Sequence, residues 1–217
     1  MQQSLFEAPH DNTPIVLDMP DATLKYYPNF IAPKSATQLM AKFQQQIQWR
    51  QEQISIYGTT HNVPRLQAWY GDKDTQYQYS NLRMQPLPWL QDLLMLKQQC
   101  EDASGQQFNS VLANLYRNGE DSMGRHSDDE PELGPHPVIA SLSFGEQRNV
   151  DFYHKTRKQK VRVPLAHGSL LIMSGNTQTH WQHGIAKTKK NVSARINLTY
   201  RHIHQKQNNN NNQQVTI

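Results

Sequence analysis

The sequence predicts a mainly β fold, a sandwich or barrel of short strands preceded by a smaller part that mixes helices and strands. Three observations support this. From Phe108 onward, short apolar runs alternate with turns at the spacing typical of such folds. Residues 194–201 alternate apolar and polar side chains with the period of a β-strand. Before residue 106, two apolar stripes with helical spacing indicate helices instead.

The same patterns predict the elements in chain order. Residues 1–20 are polar, contain three prolines and predict a loosely ordered lead. A capping box of Ser35 and Gln38 marks a first helix, whose apolar stripe is Leu39, Met40, Phe43 and Ile47. A second helix starts near Pro88, with the stripe Trp89, Leu90, Leu93, Leu94 and Leu96. The predicted strands are Val111–Arg117, Val138–Phe144, Val150–His154, Val161–Val163, Ser169–Met173 and Val192–Arg201. The Asn/Gln-rich tail, 205–217, predicts disorder.

Composition narrows the class of protein. A chain of 217 residues with 36% hydrophobic content predicts one domain with appendages. The single cysteine, Cys100, allows no internal disulfide, which favours a reducing compartment. Neither a signal peptide nor an apolar span of membrane length is visible, so we expect an intracellular protein, cytoplasmic or nuclear, and a monomer. A net charge of +4 mildly favours a polyanionic partner and gives no sign of a membrane partner.

One short motif has the spacing of a metal site. His126 and Asp128 are two residues apart, so on an extended segment both side chains leave the same side of the chain. A distant histidine, either His180 or His183, can complete a facial triad that leaves three metal positions open, as non-haem Fe(II) oxygenases require. A zinc hydrolase uses the same three ligand types, and an H-x-D pair also occurs by chance.

The polar face of the last predicted strand favours the oxygenase over the hydrolase. Arg195 and Arg201 lie on this face with Asn197 and Thr199, and guanidinium groups bind carboxylates bidentately. The usual co-substrate of such oxygenases, 2-oxoglutarate, is a dicarboxylate. Asn114 and Tyr116, which share one face of an earlier predicted strand, supply neutral donors. Without a ligand, two inward polar faces of this kind leave buried polar groups unpaired.

Several motifs in the same order resemble the AlkB family of Fe(II)/2-oxoglutarate dioxygenases, and most of all its animal-type nuclear DNA-repair branch. The resemblance covers roughly residues 55–203. It is carried by Val63-Pro64-Arg65, Tyr70-Gly71-Asp72, Tyr77-Gln78-Tyr79-Ser80, Asn114-Leu115-Tyr116, Gly124-Arg125-His126-Ser127-Asp128, Ile139-Ala140-Ser141-Leu142-Ser143-Phe144-Gly145, Leu165-Ala166-His167-Gly168-Ser169, His180-Trp181-Gln182-His183 and Arg195-x-Asn197-x-Thr199-x-Arg201.

The resemblance implies a double-stranded β-helix, or jelly roll, with an N-terminal lid. The lid and its helices would occupy residues 21–105 and the catalytic core 106–204. The iron ligands and catalytic centre would be His126, Asp128 and His183 rather than His180. The residues that contact 2-oxoglutarate, which is consumed with O2, would be Asn114, Tyr116, Arg195, Thr199 and Arg201.

The resemblance also implies a set of residues that contact the substrate. Tyr77 and Tyr79 would line a base pocket, with the base stacked against His126, and Arg65 belongs to the matching lid motif. Asp129 and Glu130 would approach the base, where an anion favours cationic lesions such as 1-methyladenine and 3-methylcytosine. Tyr57 and Gly58 align with a finger that fills the gap left by a flipped base, although the family wedge is typically phenylalanine.

Two basic runs predict contacts with phosphate groups, which would make binding salt-dependent. Their members are Lys155, Arg157, Lys158 and Lys160 in the first run and Lys187, Lys189 and Lys190 in the second. A solvated hairpin face is the other interpretation of such runs.

The resemblance implies an oxidative demethylase that repairs N-alkylated bases in DNA, either in a duplex or in a single strand. Oxidation of the N-methyl group would give a hemiaminal that loses formaldehyde. The same chemistry on RNA or on methylated protein, and a non-enzymatic nucleic-acid binder with the same fold, are the alternatives.

Overall fold

The computed structural model describes residues 13–56, 58–73, 75, 77–79 and 82–204, without the side chains of 56, 77–79 and 82–84. The Asn/Gln tail, the first part of the predicted lead and Tyr57 therefore lie outside the described residues. Within them, no helix is long and apolar enough to cross a membrane.

The described residues form three α-helices and fifteen strands. The helices are α1 (Pro33–Gln46), α2 (Gln91–Ser104) and α3 (Thr177–His180). The strands are β1 (Ile15–Leu17), β2 (Thr23–Tyr27), β3 (Gln53–Ile56), β4 (Thr59–Asn62), β5 (Leu66–Gly71), β6 (Tyr77–Tyr79), β7 (Leu82–Met84), β8 (Ser110–Tyr116), β9 (Met123–His126), β10 (Ile139–Gly145), β11 (Arg148–His154), β12 (Lys160–Leu165), β13 (Ser169–Ser174), β14 (Trp181–Ile185) and β15 (Arg195–Arg201).

Two antiparallel sheets make the core of the fold. The major sheet has the order β1-β2-β13-β10-β15-β8-β5, and the minor sheet has the order β12-β11-β14-β9. The hairpins β3–β4 and β6–β7 form two further small sheets. This arrangement confirms the predicted mainly β fold. The strand β1 lies within the segment 1–20 and pairs with β2, so that part of the lead belongs to the sheet.

Two hydrophobic clusters lie on opposite faces of the major sheet. One packs the outer face against the two long helices, with Leu39 and Phe43 of α1 and Leu93 and Leu96 of α2 fully buried. The other fills the space between the two sheets and includes Trp181. The helices therefore close one face of the major sheet, and the minor sheet covers the other.

The strand β15 shows why its sequence alternates. Ile196, Leu198 and Tyr200 belong to the cluster that packs against the helices. Because successive side chains point to opposite faces, the polar residues of β15 lie on the face toward the minor sheet. The alternation therefore does not mark a solvated face, since Arg195, Asn197 and Thr199 are buried.

The helix starts differ from the prediction. The helix α1 begins at Pro33 with Ala32 as its N-cap and no side-chain cap, so the capping box of Ser35 and Gln38 is wrong. Proline suits the first helical position because its missing N–H needs no partner, and it starts the helix before Ser35. The helix α2 begins at Gln91, later than predicted, so Trp89 and Leu90 precede it. The prediction also omitted β14, whose histidine-containing sequence gave no apolar pattern.

Candidate metal and co-substrate site

Three predicted metal ligands meet at the paired strands β9 and β14. His126 ends β9 and lies directly opposite His183 of β14 in the strand register. Asp128 follows two residues after His126, and its Oδ1 and Oδ2 lie 3.9 Å from His126 Nε2 and 3.7 Å from His183 Nε2, respectively. One ligand atom from each of the three residues lies within 4.8 Å of the others. The spacing fits a single metal ion bound between them.

Each of the two histidines presents its Nε2 atom toward the other members of the triad. His126 Nδ1 lies 3.0 Å from the carbonyl oxygen of Gly124, which can only accept, so Nδ1 carries the proton and Nε2 has a free lone pair. His183 is buried, and its Nδ1 has no hydrogen-bond partner in the described structure. Burial lowers the pKa of His183 to about 3, so its imidazole is neutral at neutral pH. The His183 ring is therefore in the neutral form that binds a metal, and in the neutral His126 ring the lone pair lies on Nε2.

Asp128 is held from both its main chain and its side chain. Its backbone N–H donates to the side-chain oxygen of Gln178 across 3.0 Å, and its Oδ1 accepts from Arg201 across 2.6 Å. Burial raises the pKa of this carboxyl, but the positive charge of Arg201 and its hydrogen bond oppose burial and hold the pKa below its ordinary value. The carboxylate is therefore ionised, and its buried Oδ2, which has no hydrogen-bond partner within the described part of the chain, is available to a metal.

A second cluster of histidine and carboxylate side chains is not suited to bind a metal. Asp21, His154 and His180 also lie close together. However, His154 Nδ1 accepts the backbone N–H groups of Thr156 and Arg157 across 3.2 and 3.0 Å, so the proton of the neutral ring lies on Nε2. That proton faces Asp21 at 3.4 Å and occupies the position that a metal would need. The His180 ring stacks on the His154 ring, with centroids 5.9 Å apart, and belongs to this second cluster rather than to the triad of His126, Asp128 and His183.

Arg195 offers the strongest sign of an anionic ligand beside the triad. Its side chain is 1% exposed and its NH2 donates to Ser143 Oγ across 3.0 Å. The buried Nε and NH1 groups have no hydrogen-bond partner in the described structure. Burial lowers the pKa of Arg195 to about 10, which leaves the guanidinium charged at neutral pH. A buried charge without a counterion is costly, so a carboxylate ligand fits this position.

The remaining residues predicted to contact 2-oxoglutarate surround the same space. Asn114 and Tyr116 of β8 are buried opposite Asn197 and Arg195 of β15, and the Tyr116 ring lies 5.1 Å from the Arg195 guanidinium carbon. The Thr199 hydroxyl donates to Asn197 Oδ1 across 3.0 Å. Because a carboxylate can only accept hydrogen bonds, Thr199 would have to turn from Asn197 to donate to it.

Two cavities meet at the triad. The smaller, about 50 Å³, is lined by Asn114, Tyr116, Arg195, Asn197 and Thr199. The larger, about 300 Å³, lies toward the β3–β4 hairpin and is lined by residues that include Arg65, Gln67, Trp69 and Glu130. His126, Asp128 and Arg201 border both cavities. A metal held by the triad would therefore face a polar, arginine-lined space on one side and a roomier space on the other.

The structure separates two acidic residues that the sequence places together. Glu130, which the resemblance places near the base, lines the larger cavity. Asp129 is exposed, and its Oδ2 lies 3.3 Å from Lys155 Nζ.

The other predicted substrate contacts lie apart from one another. Arg65 borders the larger cavity, but its side chain donates a hydrogen bond to Asn114. Gly58 lies exposed at the turn of the β3–β4 hairpin. Tyr77 and Tyr79 lie on β6, but their side chains, like all of Tyr57, are outside the described residues.

Most of the predicted phosphate-binding residues already pair with acidic side chains. Lys155 pairs with Asp129, Arg157 with Asp21, Lys160 with Asp151 and Lys187 with Glu120. Lys158, Lys189 and Lys190 are exposed. A phosphate would therefore have to compete with carboxylates at four of the seven predicted positions.

Sequence reasoning missed several groups that orient the site. Ser143 accepts from Arg195, Ser141 accepts from Asn197, and Gln178 accepts the N–H of Asp128. The alternation of Ser141 and Ser143 on β10 is a possible signal, because both face the polar side of β15. Gln178 gave no such signal, since its contact with Asp128 joins residues 50 positions apart.

The sequence of the chain is similar to a family of oxygenases and to several of its characterised members. Residues 23–201 match the 2OG-Fe(II) oxygenase superfamily. The chain is 43% identical to the alpha-ketoglutarate-dependent dioxygenase alkB homolog 3 of Bos taurus over 187 residues, which cover 82% of this chain and 65% of that protein. It is 44% identical to the DNA oxidative demethylase ALKBH2 of Homo sapiens over 158 residues, covering 69% and 60%. The chain thus spans less than two thirds of the length of these relatives.

A solved structure supports the fold. The structure of OsALKBH1 matches with a TM-score of 0.62 at 17% identity, covering 85% of this chain and 99% of that one. At this identity the match concerns the fold alone, and it confirms the predicted jelly roll.

Proposed function

The chain belongs to the 2OG-Fe(II) oxygenase superfamily, within its AlkB family, and from that premise we propose that it removes alkyl groups oxidatively from N-alkylated bases in DNA. The observation that carries the proposal is that two cavities meet at His126 and Asp128, beside His183, and that Nε and NH1 of Arg195 in the smaller cavity have no hydrogen-bond partner among the described residues. The names of the two relatives, a dioxygenase that depends on alpha-ketoglutarate and a DNA oxidative demethylase, support the same reaction and substrate.

The residues present fit Fe(II) and 2-oxoglutarate. His126, Asp128 and His183 would hold the metal, since each offers a free ligand atom at a suitable spacing. Arg195, Asn114 and Tyr116 would bind 2-oxoglutarate in the smaller cavity, and Arg201 would hold Asp128 in place. Fe(II), bound with 2-oxoglutarate and O2, supplies the oxidation of the N-alkyl group, which then leaves as an aldehyde.

The larger cavity would take the alkylated base. Its volume of about 300 Å³ is at the lower end of the range for small-molecule sites. Glu130 on its wall supplies the negative charge that would favour a cationic base over a neutral one. The alkyl group of such a base lies on its pairing edge, so a duplex substrate would have to be flipped out of the stack.

Turnover of defined oligonucleotides tests this proposal. Oligonucleotides that carry 1-methyladenine or 3-methylcytosine, as single-stranded DNA, duplex DNA and RNA, are incubated with Fe(II), 2-oxoglutarate and O2. We expect succinate and formaldehyde from the methylated DNA and not from the unmethylated control. Turnover of methylated RNA alone would redirect the proposal to RNA, and the absence of turnover with every substrate would contradict it.

A further inference from the structure

We propose that Arg65 and Gln67 are positioning residues that hold the side-chain amide of Asn114 with its NH2 group toward the smaller cavity. This inference rests on the proposed function, because it takes the ligand of that cavity to be 2-oxoglutarate. It gives Arg65 a second role beside the base contact expected from the sequence.

The hydrogen bonds fix which way the Asn114 amide points. Arg65 Nε lies 2.7 Å from Asn114 Oδ1, and Gln67 Nε2 lies 2.9 Å from the same oxygen. Arginine carries only donors, so the Asn114 atom that faces it must be the carbonyl oxygen and not the amide nitrogen. Gln67 must then also present its NH2 group. The reversed Asn114 amide would place N–H groups against N–H groups.

The orientation determines what the smaller cavity offers to a ligand. Asn114 is 1% exposed and lines this cavity together with Tyr116 and Arg195. Because Oδ1 is occupied by two donors, the part of the amide left for a ligand is Nδ2. The oxygens of 2-oxoglutarate only accept hydrogen bonds, so they can bind an NH2 group but would be repelled by a carbonyl oxygen.

Arg65 and Gln67 are themselves held in place. Arg65 is 6% exposed, and its NH1 donates to the carbonyl oxygen of Ser122 across 3.2 Å. Gln67 of β5 lies directly opposite Asn114 of β8 in the strand register. Both residues border the larger cavity, whereas Asn114 borders the smaller one. The three side chains therefore form a buried wall between the two cavities.

Two conservative variants test the inference. Gln67→Glu keeps the size of the side chain but replaces its NH2 group with an acceptor, and Arg65→Lys keeps the charge but loses the guanidinium geometry. We measure 2-oxoglutarate binding by calorimetry on Mn(II)-loaded protein without nucleic acid. We expect each variant to bind 2-oxoglutarate about 3- to 30-fold more weakly, as for a misplaced hydrogen bond to a charged ligand. Mn(II) affinity, which should not change, verifies that the variants are folded.

A double-mutant cycle separates positioning from other roles. In an Asn114→Ala background, Arg65→Lys and Gln67→Glu should cause little further loss of 2-oxoglutarate affinity, because the group through which they act is gone. Gln45→Glu, an exposed change on α1, is the matched charge control and should bind as the wild type does.

The possible results separate a failure of the positioning role from a failure of the proposed function. If the wild type binds 2-oxoglutarate and both variants bind it equally well, the positioning role is overturned. The same conclusion follows if the variants lose as much affinity in the Asn114→Ala background as in the wild type. A rise in oligonucleotide KM with unchanged 2-oxoglutarate affinity would make Arg65 only a base contact. If the wild type itself does not bind 2-oxoglutarate, the proposed function fails and this inference fails with it.

Discussion

The guanidinium of Arg201 donates to Oδ1 of Asp128 across 2.6 Å, in a pair whose side chains are 13% and 4% exposed. Arg201 ends the polar face of β15, the strand that also carries Arg195. Arg201 therefore holds the carboxylate of the candidate metal site, whereas Nε and NH1 of Arg195 have no hydrogen-bond partner among the residues that the structure describes. The two arginines look equivalent in the sequence but have different partners in the structure.

This difference predicts different effects of the two Arg→Lys changes. Arg195→Lys should weaken 2-oxoglutarate binding about ten- to a hundredfold, because a charge-assisted hydrogen bond is lost. It should leave Mn(II) affinity unchanged. Arg201→Lys should weaken Mn(II) binding as well, because it releases Asp128. Calorimetric titration of both ligands into both variants measures this, and identical losses in the two variants would contradict the assignment.

Gly184 provides a test of how strand spacing supports the metal ligands. It follows His183 on β14, and a Cβ added there would lie 2.9 Å from the carbonyl oxygen of Met123 on β9. Gly184→Ala should therefore push the two strands apart, separate His183 from His126, and destabilise the protein by about 1–3 kcal/mol. Mn(II) affinity should fall with it.

Gly124 is the matched control for this change. It lies on β9, in the same strand pair, and a Cβ added there meets no described atom within 4 Å. Gly124→Ala should leave both stability to urea and Mn(II) affinity close to those of the wild type. Equal effects at the two glycines would show that strand spacing does not control the metal ligands.

The buried imidazole of His183 predicts a pH dependence of the metal-free protein. Its pKa is about 3 when folded, against an ordinary value of 6.5, because burial disfavours the charged ring. The unfolded chain therefore binds more protons between these values, and stability should fall as the pH is lowered from about 6.5 toward 3.

Urea unfolding of chelator-treated protein at about pH 7 and about pH 5 measures this effect. The loss of unfolding free energy between the two pH values should be smaller in His183→Gln, whose side chain does not titrate. An equal loss in the variant and the wild type would show that other groups cause the pH dependence.

The sequence predicted those parts of the site that depend on local spacing. The period of two along 194–201 correctly placed Arg195 and Thr199 on one buried face of a strand, and the H-x-D spacing correctly brought His126 and Asp128 together. Such patterns are visible because neighbouring residues of one strand share a face.

The features of the site that the sequence patterns did not predict depend mostly on contacts between residues far apart in the chain. The choice between His180 and His183 required the family resemblance, since both occur in one short segment. Asp129 pairs with Lys155, 26 positions away in the chain, and no local pattern encodes that ion pair. The start of α1 was mispredicted because Pro33, rather than the Ser35 side chain, begins the helix.

The most direct test of the account follows the mass of a methylated oligonucleotide together with the succinate formed. Single-stranded DNA with one 1-methyladenine is treated with the wild type, with His183→Ala and with His180→Ala, each with Fe(II) and 2-oxoglutarate. We expect the wild type to remove the methyl group and to form one succinate per base restored, His183→Ala to do neither, and His180→Ala to keep part of both activities. Methyl removal by His183→Ala but not by His180→Ala would contradict the proposed metal centre.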